Sequence, residues 1–511
     1  MSRAHLQELV RACLADPSLT YRQRVQQLAG IAENALEPPA VGEKCLLLQD
    51  KGVVHDMGEG NAPYRPRYVL PDYAKVIRHG SARLELPAPQ DFDDALTVLL
   101  ATYGSVPSIT GYPVYLGDLD TLLEPFAAGL PDAELDARLR RFWRLTDRLL
   151  PDAFVHANLG PADSRIGRAV LRVDRELRQV VPNLTLRVDP ALTPDELLRE
   201  AVLTACRDGK PHFVNHPMMV RDLGLDYGIV SCYNSLPRGG GAHTLCRLNL
   251  RESVVQHVAE HPGGGLQAYL DVTLPEHVAA TAELMASRIR FLVEESGFYR
   301  HDWLVAEGLI DPDRFTAMFG LYGVAEGAHL LLEQSGSQAR YGHDAEADEL
   351  VHRLVARIAE LVAAQPMPYC TVSGGRALLH AQSGIDSDIG ITAGARVPVG
   401  TEPQLYQHIR AVAPHHACFP AGISDVFKFE PTIADNPDSV VAVIRGAFAE
   451  GMRDYTFDVD GNGFVRITGY LVRVSEVEQV NLGNCVRHSS TVLGAGAMTN
   501  QHLADRVRKT T

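Results

Sequence analysis

Apolar residues recur every three or four positions in several long stretches of the chain, and this spacing predicts amphipathic helices. The clearest case is residues 131–150, where leucines and aromatics alternate with charged side chains. Near the start, the Asp16-Pro17 break and the prolines after Glu37 delimit two helices within residues 1–37. The same periodicity predicts four more helices, at 193–208, 275–297, 345–364 and 436–452.

Short apolar runs lie between the predicted helices and are bounded by turn-forming residues. Runs of this length are typical of buried strands. They predict strands at 183–188, 227–231, 267–273 and 369–373. Strands that alternate with long helices indicate an α/β protein.

Proline- and glycine-rich stretches between the periodic segments divide the chain into three predicted regions. Residues 1–92 form an N-terminal helical and loop-rich region, residues 93–435 form the main body, and residues 436–511 form a C-terminal unit. We find neither a repeat with a period of 20–50 residues nor a low-complexity linker. We therefore expect one large α/β body, an N-terminal helical section and a small C-terminal unit.

Composition and charge narrow the class of protein. The 511 residues are 46% hydrophobic and 22% charged, which is typical of a soluble globular protein. The net charge of −15, without a basic stripe, argues against a nucleic-acid partner. No run of about 18 apolar residues predicts a membrane span, and the charged N-terminal stretch does not resemble a secretory signal. We expect a cytoplasmic protein without a membrane partner.

The eight cysteines are sparse, and no two lie within four residues of each other. This spacing excludes a CxxC redox pair, a local zinc knuckle and the usual iron–sulfur motifs. Most of the thiols are expected to be free and packed as small hydrophobic side chains. No metal site is predicted from them.

One acidic segment resembles a calcium loop. Asp458, Asp460, Asn462 and Gly463 occupy loop positions 1, 3, 5 and 6 of an EF-hand, but position 12, normally a bidentate Glu, is Gly469. Losing that ligand favours a polar turn between the 436–452 helix and the strand-like run that follows. A calcium-binding or scaffold protein is kept as the non-enzymatic alternative.

Gly469 itself lies in a strand-like run, between β-branched residues and Tyr470. A lone glycine there usually marks a bulge or a close backbone approach. Glycine has a second use, because its Cα carries two hydrogens and no side chain. A radical on that carbon can become planar and delocalise over the adjacent amide groups, so a buried glycine can store an unpaired electron.

Two segments together carry a family resemblance. Arg466-Ile467-Thr468-Gly469-Tyr470, 42 residues from the end (511 − 469), resembles the signature of glycyl radical enzymes. Residues 223–254, with Cys232 at the end of an apolar strand, resemble the cysteine finger of pyruvate formate-lyase. Together with 113–126 and 212–219, they make the chain similar to the YjjI-type glycine radical enzymes.

The resemblance implies a fold and a chemistry. The fold is an α/β barrel of two antiparallel half-barrel sheets surrounded by helices, with finger loops that bring Cys232 and Gly469 together inside. Gly469 would store the radical, and Cys232 would become the thiyl radical that attacks a small-molecule substrate under anaerobic, oxygen-sensitive conditions. A separate radical SAM activating enzyme, with S-adenosylmethionine and an iron–sulfur cluster, would install the glycyl radical. No permanently bound cofactor is implied, and a homodimer is expected.

Departures from related enzymes leave the reaction open. Ser231 precedes Cys232 where pyruvate formate-lyase has a second cysteine, which weakens a formate acetyltransferase-like acyl lyase. Asn234 stands where the diol and choline lyases carry a glutamate base, and it cannot accept a proton at neutral pH. Leu471 continues the motif as in anaerobic ribonucleotide reductase, but the tail holds only Cys485, too few cysteines for that enzyme's zinc site. A ribonucleotide- or deoxynucleotide-type radical enzyme and the acyl lyase remain alternatives.

Several further residues are candidates for supporting roles. His216 and His243 bracket the cysteine segment as possible proton-transfer groups, although a structural role is more common for such histidines. Asn215 and Asn234 could orient a substrate oxygen or cap a turn. Arg466 and Tyr470 are the motif neighbours of Gly469.

Two expectations concern the central pair. Cys246 also lies near the finger, but Cys232 is preferred as the reactive thiol because it ends the strand. Replacing Gly469 with alanine is expected to abolish radical storage while leaving the fold largely intact.

Overall fold

A computed structural model describes residues 2–108, 111–381 and 384–500. The α-helices are α1 (Arg3–Ala15), α2 (Tyr21–Glu33), α3 (Glu43–Asp50), α4 (Tyr73–His79), α5 (Phe92–Tyr103), α6 (Leu119–Leu123), α7 (Asp132–Leu149), α8 (Arg165–Leu177), α9 (Asp195–Asp208), α10 (His216–Leu223), α11 (Leu250–Glu260), α12 (Gly265–Ala268), α13 (Leu274–Arg290), α14 (Phe298–His301), α15 (Trp303–Ala306), α16 (Val324–Gln334), α17 (Ala345–Ala364), α18 (Leu405–His416), α19 (Pro437–Ala449), α20 (Val474–Asn481) and α21 (Ser489–Asn500). The strands are β1 (Val54–Asp56), β2 (Tyr68–Leu70), β3 (His156–Leu159), β4 (Asn183–Val188), β5 (His212–Asn215), β6 (Tyr227–Val230), β7 (Asn234–Pro237), β8 (Gly240–Asn249), β9 (Phe315–Tyr322), β10 (Ala377–His380), β11 (Val426–Phe429), β12 (Asp454–Val459), β13 (Phe464–Arg466) and β14 (Leu471–Arg473).

The first large sheet has the order β1-β8-β9-β10, with β2 also paired to β8. Strands β8, β9 and β10 run parallel, whereas β1 and β2 pair with β8 in the antiparallel sense. Strands β1 and β2 come from the N-terminal region that was expected to be mainly helices and loops. That region therefore contributes directly to the sheet.

The second large sheet has the order β11-β12-β5-β4-β3. Helix α8 connects β3 to β4 and helix α9 connects β4 to β5, and helical crossovers of this kind place consecutive strands parallel. Strand β12 joins β5 in the antiparallel sense. The α/β fold with two large sheets and surrounding helices is confirmed, but each sheet mixes parallel and antiparallel pairs and is not antiparallel throughout as expected. Within the described part of the chain, the two sheets are not joined into one closed sheet.

Two small hairpins stand apart from the large sheets. Strands β6 and β7 form the first hairpin, and strands β13 and β14 form the second. The tip of the first is Ser231-Cys232-Tyr233, and the tip of the second is residues 467–470. The fold therefore presents the two sequence motifs as two finger-like turns.

Most of the predicted elements are confirmed. The predicted helix 345–364 and strand 183–188 coincide with α17 and β4, and the two helices in residues 1–37 are α1 and α2. The other predicted helices correspond to α7, α9, α13 and α19, and the predicted strand 227–231 corresponds to β6. Long periodic stretches locate helices well because one face must be buried along several turns.

Two predicted strands are wrong. Residues 267–273 form the end of α12 and a π-helical turn, Tyr269–Thr273, that runs into α13. Residues 369–373 contain a 3₁₀ turn, Thr371–Ser373, and the strand begins only at Ala377. Both errors have one cause, since a short apolar run fits a buried helical turn as well as a strand.

Most of the interior is a large apolar cluster with members from Cys45 to Met498, and a second, smaller cluster contains Val214, Met219, Tyr227, Ile229 and Tyr233. Both large sheets and both hairpins contribute to the large cluster. Among the described helices, none combines the length and apolar character needed to cross a membrane. The hairpin tips are thus embedded in the same core that holds the sheets together.

Candidate active site

Cys232 lies at the tip of the β6–β7 hairpin, where the chain reverses between Val230 and Asn234. The residues on either side of it have left-handed backbone angles, with φ of 53° at Ser231 and 65° at Tyr233. Such angles are rare for residues other than glycine, and strained backbone of this kind is concentrated at functional sites. The local conformation holds Cys232 on a tight, buried tip.

Gly469 lies at the tip of the β13–β14 hairpin and touches Cys232. A Cβ atom added to Gly469 would lie 2.4 Å from both the Cα and the carbonyl carbon of Cys232. The backbone angle φ of Gly469 is outside the left-handed region, so the close approach alone requires glycine. The expected proximity of the two residues is therefore observed.

This contact corrects the expectation for an alanine at Gly469. We expected the fold to stay largely intact, but the added methyl would overlap the backbone of Cys232. Backbone atoms at such a tip cannot rotate aside as a flexible side chain can, so one of the two hairpin tips must shift. Loss of function in that variant would not by itself distinguish radical storage from misplacement of the tips.

The thiol of Cys232 is enclosed by the opposing tip. Its side chain is buried, and the Thr468 hydroxyl lies 3.3 Å from Sγ, with the Ser231 hydroxyl at 3.9 Å. Burial raises the pKa of Cys232, although hydrogen bonds from Thr468 and the Gly469 backbone act in the opposite direction. The thiol therefore stays protonated near neutral pH and keeps its S–H hydrogen.

Asn183, at the start of β4, links the two tips. Its Nδ2 donates to the carbonyl oxygen of Gly469 at 2.6 Å and lies 3.4 Å from that of Ser231. Sequence reasoning missed this residue. The only signal was a polar residue at the start of the otherwise apolar run 183–188.

Two buried histidines contact the tip of the cysteine hairpin through a hydrogen bond and a stacked ring. His156 Nδ1 is 3.0 Å from the Ser231 carbonyl, and its Nε2 is 2.6 Å from the Thr185 hydroxyl, which also contacts His212. The ring of His212 stacks on Tyr233 with centroids 3.3 Å apart. Burial lowers the pKa of His156 to about 3 and lowers the pKa of His212 well below its ordinary value, so both rings are neutral and serve as fixed packing and hydrogen-bonding groups.

Two arginines hold the glycine hairpin. Arg466 donates to the carbonyl of Gly209 and lies 5.4 Å from the centroid of the Tyr233 ring. Burial lowers the pKa of Arg466 to about 9, against the opposing effect of Asp208. Arg396 reaches the carbonyl of Ile467 at 3.4 Å. The motif arginine thus anchors the hairpin to the barrel and to the neighbouring tip.

A cavity of about 240 Å³ opens beside the Cys232 thiol. Both hairpins, strand β2 and the loop after residue 383 contribute to its walls, together with α21. The lining residues are Met57, Arg67, Tyr68, Phe154, Ser231, Cys232, Gly384, Ile385, Asp386, Tyr470 and Leu493. Of the predicted site residues, Cys232 and Tyr470 line this cavity.

The other predicted polar residues have different surroundings. Asn215 caps α10 and donates to the carbonyls of Phe448 and Met452, at 3.3 and 3.1 Å. His216 contacts the Tyr227 hydroxyl at 2.7 Å. These contacts place both residues at the start of α10, away from the residues that line the cavity.

His243 and Asn234 also lie outside that lining. His243 on β8 is held between the Tyr299 hydroxyl, at 2.8 Å, and the Tyr369 carbonyl, at 3.1 Å. Asn234 on β7 is fully buried, and its side-chain amide has no hydrogen-bond partner among the described residues. Its position two residues beyond Cys232 puts it on the strand that leaves the tip.

The competing thiol, Cys246, lies in the middle of β8. It is completely buried, and burial raises its pKa well above the ordinary thiol range. Its Sγ lies 3.9 Å from the Thr244 hydroxyl, and it is not among the residues that line the cavity. Of the two thiols, the structure brings Cys232 to Gly469.

The calcium-like segment is a turn between β12 and β13, rather than one that follows a helix directly. Asn462 donates to Asp458 at 3.3 Å, and Lys428 pairs with Asp460 at 2.7 Å. In the described ranges, no three His, Cys, Asp or Glu side chains are grouped so that they could hold a metal ion. The acidic side chains of the turn are engaged with protein partners.

The chain has clear relatives among known proteins. A model of the family described as glycyl radical enzyme YjjI-like matches residues 19–509. The protein YjjI of Escherichia coli (strain K12) is 47% identical over 502 residues, covering 98% of this chain and 96% of that protein.

Two solved structures share the fold at low sequence identity. The B12-independent glycerol dehydratase of Clostridium butyricum superposes with a TM-score of 0.65 at 12% identity, over 97% of this chain and 88% of that one. The anaerobic ribonucleotide reductase of Thermotoga maritima does so with a TM-score of 0.64 at 12% identity, over 93% and 90%. At such identities the likeness concerns the fold alone.

Proposed function

This chain belongs to the YjjI-like glycyl radical enzyme family, and on that premise we propose that Gly469 stores a radical which Cys232 uses to attack a small-molecule substrate. The observation that carries the proposal is the contact between the two hairpin tips, with Gly469 against the backbone of Cys232. The Gly469 backbone also forms a hydrogen bond with the Cys232 thiol, which supports transfer of a hydrogen atom between the two residues.

The proposed chemistry starts with one hydrogen transfer. The Gly469 radical takes the hydrogen atom of the Cys232 thiol, so the S–H bond breaks, a Cα–H bond forms and a thiyl radical remains. The thiyl radical then takes a hydrogen atom from a substrate carbon. After the substrate radical has rearranged or fragmented, the product radical takes a hydrogen atom back from Cys232, and the thiyl radical regenerates the Gly469 radical.

The environment of the thiol supports hydrogen-atom transfer, because burial raises the pKa of Cys232 and a protonated thiol supplies a hydrogen atom. Ser231 in place of a second cysteine argues against a formate acetyltransferase-like reaction. The cavity of about 240 Å³ favours a small molecule over a ribonucleotide, whose base, sugar and phosphates need more space.

Burial of Gly469 has two consequences for its activation. The surrounding hairpins and barrel shield a stored radical from solvent and oxygen, which suits an enzyme of anaerobic metabolism. The same burial means that a separate radical SAM activating enzyme, our proposed partner, reaches Gly469 only after the C-terminal hairpin moves outward. We place this reaction in the cytoplasm, where such an activating enzyme would be available.

Solvent deuterium tests the exchange between the two residues without knowledge of the substrate. Activated protein transferred to D₂O exchanges its thiol S–H for S–D, and reversible transfer then places deuterium on the Gly469 Cα. The doublet of the glycyl radical in electron paramagnetic resonance, caused by its remaining Cα hydrogen, is expected to collapse to a singlet.

The variant Cys232→Ser should keep its doublet in D₂O, because a serine O–H bond is too strong to exchange with the glycyl radical. Cys246→Ser is the matched control. Its doublet should collapse to a singlet in D₂O, as the doublet of the parent protein does. A doublet that collapses equally in Cys232→Ser, or persists in the parent protein, would contradict the proposed role of Cys232.

A further inference from the structure

The size of the cavity limits the part of a substrate that can reach Cys232. The cavity of about 240 Å³ is smaller than the range of about 300–1,000 Å³ that is usual for ligand pockets, so it suits a small molecule. The walls are largely apolar, so the few polar groups determine how such a molecule is oriented.

Two donors in these walls lack a partner. The Nε–H of Arg67 and the hydroxyl of Tyr470 are buried and have no hydrogen-bond partner among the described residues. Arg67 is 9% exposed and Tyr470 is 1% exposed. A buried donor without an acceptor costs about 1–3 kcal/mol, which a ligand oxygen in the cavity would recover.

Arg67 carries its charge at this position. Burial acts to lower its pKa, but the neighbouring Tyr68 and Glu59 raise it above the ordinary arginine value. Its Nη1 donates to the Met57 carbonyl at 2.9 Å and lies 3.5 Å from Glu59. These contacts fix one end of the guanidinium group while the side chain lines the cavity.

Glu59 is a weak partner for that charge. Its carboxylate accepts hydrogen bonds from the Leu245 backbone N–H, at 2.9 Å, and from the Thr244 hydroxyl. The 3.5 Å distance to Arg67 is long for a charge-assisted hydrogen bond. The guanidinium group therefore retains capacity for a second anionic partner.

We infer that the cavity binds a small monocarboxylic acid, with its carboxylate held by Arg67 and the Tyr470 hydroxyl and a carbon of the same molecule facing the Cys232 thiol. Asp386, exposed at the edge of the cavity, disfavours a second carboxylate there. The inference rests on the proposed function, because that function makes the cavity beside Cys232 the reaction chamber.

Two alkylating reagents of nearly equal size test the inference on protein that has not been activated. Iodoacetate carries a carboxylate and iodoacetamide does not, and both alkylate thiols. The ratio of the two alkylation rates, measured by peptide mass spectrometry, is expected to be at least about tenfold higher at Cys232 than at exposed Cys485. Because the ratio is taken at one thiol, the thiolate fraction cancels.

Arg67→Met should lower the ratio at Cys232 to that at Cys485. Since this change also leaves Glu59 without its cation, the double variant Glu59→Gln/Arg67→Met is measured as well and should give the same low ratio. Arg65→Met is the matched control, because Arg65 pairs with Glu33 and does not line the cavity. The Arg65→Met variant should keep the high ratio of iodoacetate to iodoacetamide alkylation at Cys232.

A protection experiment uses the parent protein alone, in case the variants fail to fold. Glycerate should slow the alkylation of Cys232 by iodoacetate, whereas glycerol, which lacks the carboxylate, should not. Equal rate ratios at Cys232 and Cys485, a ratio unchanged in both Arg67→Met variants, or equal protection by glycerate and glycerol would overturn the inference. None of these measurements needs a radical, so they stand apart from the D₂O test of the proposed function.

Discussion

At the scale of single residues, the neighbouring backbone of Cys232 explains why position 469 is a glycine. Its backbone angles are ones that any residue can adopt, yet the backbone of Cys232 occupies the space where a side chain would start. This contact therefore strongly disfavours any residue that has a Cβ atom. Asn183 reinforces the arrangement by donating to the carbonyl of Gly469 from the barrel.

Gly469→Ala should destabilise the protein, because its methyl group overlaps the Cys232 backbone. Overpacking of this kind costs about 1–3 kcal/mol, which thermal unfolding can detect as a lower midpoint. Gly446→Ala is the control, since Gly446 lies in helix α19 with open space around it. That change should stabilise the protein by about 0.5–1 kcal/mol. Equal midpoints for the two variants would show that the tips are not in contact.

At the scale of elements, the segment that follows Gly469 is fastened by one buried ionic group. His488 contacts Asp147 of α7 at 2.9 Å and Glu476 of α20 at 3.0 Å, and Arg487 also pairs with Asp147. Burial opposes the charge on His488, but these two acids raise its pKa. His488 in turn lowers the pKa of Asp147 to about 2, against the effect of burial.

The fastening should depend on pH in a defined direction. Because the pKa of His488 is raised in the folded state, its stabilisation is fully present below about pH 6.5 and is lost as the pH rises through that raised pKa. Asp147 acts oppositely, and its contribution is lost as the pH falls from about 4 toward 2.

Hydrogen exchange can follow this behaviour in the C-terminal segment. Protection factors of peptides from residues 474–500 should fall above pH 6.5, by about tenfold for each pKa unit by which His488 is raised. The variant His488→Gln should show lower protection at pH 6 and no further loss as the pH rises. A pH-independent protection factor in the parent protein would rule out this role for His488.

Helices and hairpins differ in how far the sequence predicts them. The helix 345–364 follows from its own periodicity, and the motifs around Cys232 and Gly469 follow from local residues. Asn183 and Arg67 could not be assigned in this way, because their contacts join parts of the chain that are far apart in sequence. His216 and His243 failed to reach the cavity for the same reason, since closeness in sequence to Cys232 did not determine where their side chains point.

At the scale of the whole molecule, two half-barrel sheets enclose two hairpins whose tips meet beside a small cavity. The fold is shared with enzymes that differ widely in sequence, such as the glycerol dehydratase and the ribonucleotide reductase. In this chain, Arg67 and Tyr470 line the cavity together with the thiol. The enclosure should protect a radical while it is stored at Gly469.

The central claim, that the radical resides on Gly469, is tested most directly by isotopic labelling of glycine. Protein activated anaerobically should give a doublet in electron paramagnetic resonance, and protein grown with glycine deuterated at Cα should give a singlet in H₂O before exchange occurs. Air should then cut the chain at Gly469 and release a fragment of about residues 470–511, identifiable by mass spectrometry. A radical signal that is insensitive to glycine deuteration, or air exposure that leaves a fully activated chain uncut, would contradict the account.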